Sequence, residues 1–530
     1  MSRRDYDVVI VGSGAGGGTM AQELSSLCKA GARIALLERG PKLRPDDFSG
    51  KELEMCQALY QDGGAMFTAE RTMTLALGSC YGGSTTVYTG TSLLPPERAI
   101  NRWRVPGLDV ADLRRRAGKY VSQNNVHFLN DPLINQNNQL FVAGCQALGF
   151  EARQFPINVR GCLGSSLCNL GCPNHAKQGT AEVQLPFAEK NGVETVTRCE
   201  VQTIKPQVLK VNVAACPMGA KGEPSAWEPG EYEIHAGTIV LCAGAVNSPA
   251  LLLRSGFRRK LPRLGRNFTC HPAFIMVAEH DAPITNFVGH PKSFYLDQFA
   301  ESDRFVLETC MYFPFVTAKS LAGFGHAHEC FMQAFPRLQM ILVLACDEAD
   351  EYNRVDLESS GNATVHYHFN SAISHALVRG AFTAAKIFFA AGARRTHVPV
   401  ACPSVLDRGD ASRLSQIEQN SRFVAGKTSV SAAHLQGGCG MGTDLDDSVT
   451  DGWGRVHGVP GLYVADASLF PNCLEINPYL TIMALADRVA EAVRCDLSVP
   501  AGRQSYTFQS QEESARDSMA ELVRSGNTAS

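Results

Sequence analysis

At 530 residues the chain has room for two or three domains of about 150 residues each. With 45% apolar and 19% charged residues it has the balance of an ordinary globular protein. The net charge of −3 argues against nucleic acid as a partner, since phosphate binding needs a basic surface and the short clusters at 114–116 and 258–260 read as solvated faces.

The opening carries the first motif. Val8, Val9, Ile10 and Val11 form an apolar run of strand length that meets Gly12, Gly14 and Gly17 in G-x-G-x-x-G spacing. A helix-compatible stretch follows, and a second apolar run, residues 34–37, ends at Glu38. This is a βαβ dinucleotide fingerprint. Gly12 allows the tight turn, Gly14 lets a pyrophosphate approach, and Gly17 lets the helix lie on the sheet, so that phosphates meet the helix N-terminus at Gly14 and Ala15. Glu38, 21 residues after Gly17, is placed to accept from ribose hydroxyls and disfavours a 2′-phosphate.

Ser2, Arg3 and Arg4 precede this run, but it breaks at Gly12 without an export-type apolar core. No apolar run anywhere reaches the roughly 18 residues of a membrane span. The chain is therefore expected to be cytoplasmic, with its 18 cysteines as thiols or metal ligands.

Residues 51–60 suit a helix, and residues 77–90 are rich in small side chains that admit a flat or charged ligand to the backbone. Residues 109–150 turn helical. Cys162, Cys168 and Cys172 then place three thiols within eleven residues, a spacing that suits either a metal or cluster, or a compact apolar loop. A helix-turn at 183–189 and a strand over 194–204 follow. A strand at 232–241 leads into a helix expected to start at Asn247-Ser248-Pro249.

Between about 271 and 430 strand-like pieces at 274–278, 304–312, 338–345 and 363–369, with one helix at 375–391, predict an antiparallel sheet roofing a pocket. His434 then opens a second glycine-rich turn, residues 461–466 form a strand ending in Asp466, and Asn477-Pro478 starts a helix as cap and first residue. The expected division is 1–270 and 431–500 for nucleotide binding, 271–430 for substrate, and 501–530 as a peripheral tail.

Taken together, Gly12/Gly14/Gly17/Glu38, Gly82-Gly83-Ser84, Gly244-Ala245 with Asn247-Ser248-Pro249, His434 with its glycines, residues 461–468 and Asn477-Pro478 resemble a glucose–methanol–choline (GMC) oxidoreductase. The likeness is to the branch of cholesterol oxidase and long-chain alcohol oxidases, and it spans nearly the whole chain. It implies an α/β fold with a Rossmann-like FAD-binding domain and an antiparallel substrate domain. FAD would be held by Gly12, Gly14, Ala15, Gly17 and Glu38, by Gly83, Ser84 and Val201, and by Asp466, Ala467, Asn477 and Pro478.

His434 and Asn477 would face flavin N5, the imidazole taking a hydroxyl proton while the carbinol hydride leaves. The implied reaction turns a primary or secondary, apolar alcohol into an aldehyde or ketone, with oxygen, a quinone or an electron-transfer protein as acceptor. Two rivals stand beside this reading: a flavoprotein lyase on the same fold, and a non-catalytic binding or scaffold protein, which would tolerate loss of His434. The family's usual Asn in the first signature is replaced by Tyr88, and Val87 stands where covalent members carry His, so FAD is expected to be non-covalent. A third carboxylate from the sheet is open among Glu308, Glu329 and Glu348. The cysteine loop is similar to the [3Fe–4S] loop of multi-subunit sugar dehydrogenases, where the cluster passes electrons to a partner. A packed thiol loop is the favoured expectation, and no metal is assigned.

Overall fold

The computed structural model describes residues 2–497, so the expected tail at 501–530 lies outside the described residues. Two sheets organise the chain. In the first, strand Ser2–Val11 lies between Ile34–Leu37 and Gly230–Leu241, parallel to both, in the register Val8↔Thr238 to Val11↔Leu241. Glu194–Val196 extends it beyond Ile34–Leu37, and Leu462–Val464 joins on Gly230–Leu241, again in parallel. Val8, Val9 and Ile10 are fully buried. Helices on both faces explain why the strand reads as a continuous apolar run rather than an alternation. At ~1.5–3 kcal/mol for each fully buried aliphatic side chain, this short run is a large part of what seats the fingerprint.

Helix Ala15–Lys29 returns the chain from the first strand to the second, and the C-terminal helix Tyr479–Leu497 packs on it and on Val110–Gln123. The central stretch folded as foreseen, except that residues 194–204 divide into Glu194–Val196 and Cys199–Lys205. The latter pairs with Val208–Val213, a strand the sequence pattern did not reveal.

The second sheet has ten strands. Its middle is Ala273–Glu279, Leu338–Ala345 and Phe305–Thr309, all antiparallel. Strict alternation sorts its side chains: Phe274, Met276 and Ala278 pack under helices Ser371–Ala390 and Gln136–Ala147, while Ala273, Ile275 and Val277 face the other way. Three expectations need correction. The sheet is not confined to 271–430, because Met66–Phe67, Met73–Leu75 and Arg153–Gln154 supply strands from earlier in the chain, one of them in parallel with Val430–Ala432. Ala363–His366 leaves this sheet for a two-stranded ribbon with Arg354–Leu357. The helix expected at residue 247 spans Gly244–Arg254 with Pro249 inside it. Its early start is fixed from a distance, since Asp466 Oδ2 accepts the Gly244 N–H at 2.8 Å and the Ser248 hydroxyl at 2.5 Å.

Candidate functional site

A cavity of about 990 Å³ is lined from both sheets, running from Gly12–Gly16 and Glu38 to His434 and Asn477. At its nucleotide end the fingerprint glycines are occupied by backbone. Gly12 has φ +99°, and a Cβ there would stand 2.4 Å from the Cys242 carbonyl oxygen, while one on Gly17 would stand 1.8 Å from the Gly12 carbonyl oxygen. Gly14 differs. Its Cβ would meet nothing nearer than Gly83 Cα at 4.0 Å, so no protein atom accounts for glycine there. A glycine facing open space at a helix N-terminus, beside Ala15 and Gly83 in the cavity wall, fits a phosphate group drawn against the backbone. The residues present therefore fit a dinucleotide.

Glu38 is buried next to this turn. Its Oε2 accepts from the Ser13 N–H (3.0 Å) and hydroxyl (2.6 Å), and Oε1 accepts from the Gly40 N–H (2.7 Å). Ser13, not singled out by the sequence, thus anchors the acid. Val201 and Ser84 also line the cavity, with Ala467 and Pro478 further along it. Asp466 is buried and tied to the Gly244 and Ser468 N–H groups, and burial pushes its carboxyl up against those bonds.

At the far end, His434 Nε2 stands 3.4 Å from Asn477 Nδ2. Asn477 is buried and His434 half-buried, Asn477 two residues before helix Tyr479–Leu497, which begins one residue later than expected with Pro478 as the first carbonyl acceptor, to Ile482 N–H. Burial, and then the charge of Lys292, push the His434 imidazole down to about 3, so it is neutral and able to accept a proton. Two residues missed by the sequence reading stand beside it. His271 Nδ1 is 2.9 Å from His434 Nδ1, and Lys292 lines the same cavity while pairing with Glu308. A pattern search has no signal for either, because each is brought there by strand register.

The three carboxylates left open by the sequence separate clearly. Glu308 is 2% exposed and lines a small cavity with His271 and Asn477, whereas the Glu329 and Glu348 side chains are 61% and 43% exposed in outer ion pairs. Ala273, Ile275, Leu342, Leu344, Met311 and Phe313 give this end of the large cavity an apolar wall. Tyr88 lines it too, its ring edge-on to Tyr479 at 5.1 Å.

Cys162, Cys168 and Cys172 converge on a separate cavity of about 10 Å³. No group of three or more His, Cys, Asp or Glu among the described residues is arranged to hold a metal ion. Burial pushes the Cys168 thiol up to about 12. Leu167 and Leu170 pack with Met55, Leu59 and Val87. Lys177 Nζ ties the loop to the cavity wall by donating to the carbonyls of Cys168 (2.6 Å), Thr86 (2.7 Å) and Tyr88 (2.7 Å).

Comparison with known proteins bears on the fold and the family. An uncharacterized GMC-type oxidoreductase of Mycobacterium tuberculosis is 30% identical over 92% of this chain and 75% of that protein. The long-chain-alcohol oxidase FAO4A of Arabidopsis thaliana is 26% identical over 91% of this chain and 67% of its own. Among solved structures, pyridoxine 4-oxidase superposes with a TM-score of 0.65 at 18% identity, covering 92% of this chain and 99% of that one. Aspergillus oryzae formate oxidase, solved to follow FAD modification, gives 0.65 at 14% identity over 94% and 99%. These show a shared fold. GMC oxidoreductase family models match residues 56–273 and 349–486, and the chain belongs to the GMC oxidoreductase family.

Proposed function

We propose that the protein binds FAD non-covalently along the large cavity and oxidises an apolar primary or secondary alcohol to the aldehyde or ketone. The observation that carries this reading is the pairing of His434 with Asn477 in an apolar wall, at the end of a cavity that begins at Gly14. When bound, the flavin supplies the acceptor at N5 for the carbinol hydride. His434, neutral through burial, takes the hydroxyl proton at Nε2, while the Asn477 amide orients the oxygen. Gly12, Gly14 and Ala15 hold the diphosphate, Gly17 packs their helix against the turn, and Glu38 and Val201 hold the adenosine side. Gly83, Ser84, Asp466, Ala467 and Pro478 line the path to the ring. Val87 offers no nucleophile for a covalent link, which supports non-covalent binding.

The cysteine loop is a packed structural element in this reading, and electrons pass from the flavin to oxygen or another small acceptor. The cytoplasm is the proposed compartment, where the 18 cysteines of the chain would be kept reduced; no helix among the described residues is long and apolar enough to cross a membrane. Anaerobic flavin bleaching against steroid, long-chain, aromatic and sugar alcohols tests the function. Bleaching by an apolar alcohol is expected. A flavin that stays oxidised with every alcohol refutes it and favours a lyase.

A further inference from the structure

The register of the second sheet sets two histidines face to face. Ala273 pairs with Ser431 and Thr269 with Gln436, so His271 falls opposite residues 433–434. The two rings meet edge to face with centroids 5.1 Å apart, and the Nδ1 atoms lie at 2.9 Å. Two facing imidazole nitrogens form a hydrogen bond only if one carries the hydrogen and the other a lone pair. With the Asn477 amide N–H directed at His434 Nε2, that atom is an acceptor, so His434 carries its hydrogen on Nδ1 and donates it to His271. His271 then carries its own hydrogen on Nε2. That nitrogen is buried and has no hydrogen-bond partner.

A lone buried donor next to a reacting histidine asks for a chemical reason. Besides the large cavity, His271 lines one of about 10 Å³, on the order of the roughly 10 Å³ that one water needs. Its polar walls are Glu308, Asn477, Tyr295, Asp297, Cys346 and Glu475. Of the three acids only Glu308 lies on a strand of the second sheet, Phe305–Thr309, which pairs with Leu338–Ala345, the partner of the strand that follows His271; Lys292 holds its Oε2.

Resting on the function proposed above, we infer that His271 and His434 form a proton relay ending at Glu308. With substrate bound the Asn477 amide turns from His434 Nε2 to the substrate oxygen, and the substrate O–H breaks as an N–H forms on the Nε2 lone pair so released. The hydrogen on His434 Nδ1 passes to His271 Nδ1, and the hydrogen on His271 Nε2 passes through a water in the small cavity to the Glu308 carboxylate. Four X–H bonds break and four form, the water losing one O–H and gaining another so that it is returned unchanged. Both rings stay neutral and exchange tautomers, and the electron pair of the C–H bond leaves as hydride to the flavin. Neutrality matters because burial pushes both imidazoles down to about 3, so neither ring can keep the proton as a cation. The charges that face the pair are Lys292, which disfavours a cation on His434, and Glu308, which favours one on His271.

The test compares His271→Asn with His271→Phe in the flavin-loaded protein. Asn places an acceptor where Nδ1 stood and can hold His434, but it cannot pass a proton on; Phe can do neither. Nitrogen-15 histidine NMR of the wild type should show Nδ1–H on His434 and Nε2–H on His271, read without turnover. Flavin reduction in His271→Asn should slow ~100-fold, with the multi-proton solvent isotope effect of the wild type reduced to that of one transfer. His434 should keep its tautomer. Wild-type reduction in His271→Asn with loss only in His271→Phe would make His271 a mere positioning residue and overturn the relay, as would the opposite tautomers. If neither variant folds, the wild-type tautomers decide. A wild type that no alcohol reduces refutes the function itself, a result distinct from a working enzyme indifferent to His271→Asn.

Discussion

Gly16 faces the carbonyl of Ala465 so closely that a Cβ would lie 1.8 Å from the oxygen. This contact locks the fingerprint helix to the turn that leads into Asp466, residues 449 positions apart in the chain. Neither side is a flexible side chain that might move aside. Gly16→Ala should destabilise the fold by roughly 3 kcal/mol, the upper range for overpacking, read as a fall in the thermal midpoint. Gly14→Ala, with 4.0 Å of space, should leave the apoprotein midpoint unchanged and weaken flavin binding. Equal midpoints for the two variants would refute this account of the glycines.

His434→Ala should lose two to four powers of ten in the rate of flavin reduction, the usual effect of removing a general base. Bound flavin should remain, because the imidazole is not part of the diphosphate cradle. Stopped-flow traces at matched flavin occupancy check this, and unchanged reduction would remove His434 from the reaction.

The Lys292–Glu308 pair is buried on both sides, at 9% and 3% side-chain exposure. Glu308→Leu leaves a buried ammonium alone and should cost about 3–5 kcal/mol. Lys292→Met combined with Glu308→Leu should recover most of that stability, because two apolar side chains replace two desolvated charges. Denaturant melts of the single and double variants check the difference, and a double variant no better than the single would count against it.

Acid should destabilise the protein in a window set by its buried histidines. Burial first of all pushes His271 and His434 down to about 3, and His290 and His397 to about 4, from an ordinary 6.5. Between those values the unfolded chain binds more protons than the folded one, so stability is lost as pH falls below 6.5. Asp347, raised by burial to about 7, acts with the opposite sign and offsets part of the loss. His397 is the cleanest probe, accepting only the Ala322 N–H at 3.0 Å. Between pH 6 and 5, His397→Gln should reduce the slope of stability against pH by ~1.2 kcal/mol per unit. An unchanged slope would mean that His397 titrates normally.

The cysteine loop should be free of stoichiometric iron and acid-labile sulfide in anaerobically purified protein, and Cys168→Ser should retain flavin and turnover. Iron at the level of a [3Fe–4S] cluster, lost together with that substitution, would make the loop an electron exit instead.

The sequence by itself determined the parts whose physics is local. The run Val8–Val11, the glycine turn and Glu38 are contiguous enough for sterics and burial to specify them, and His434 and Asn477 each stand at the start of a recognisable turn or helix. The central strands at 273–279 and 338–345 were likewise legible, through apolar pattern and strand length. What no local signal could give was decided by tertiary pairing. Met73–Leu75 and Arg153–Gln154 are too short to read as strands alone and exist because an open sheet edge satisfies their backbone. Gly244 begins its helix early because Asp466 caps it from across the sheet. His271, Lys292 and Glu308 carry no motif. Only the register of the second sheet sets His271 against His434 and draws Glu308 out of three equivalent glutamates, because period-two alternation fixes which side chains share a face once the strands have paired.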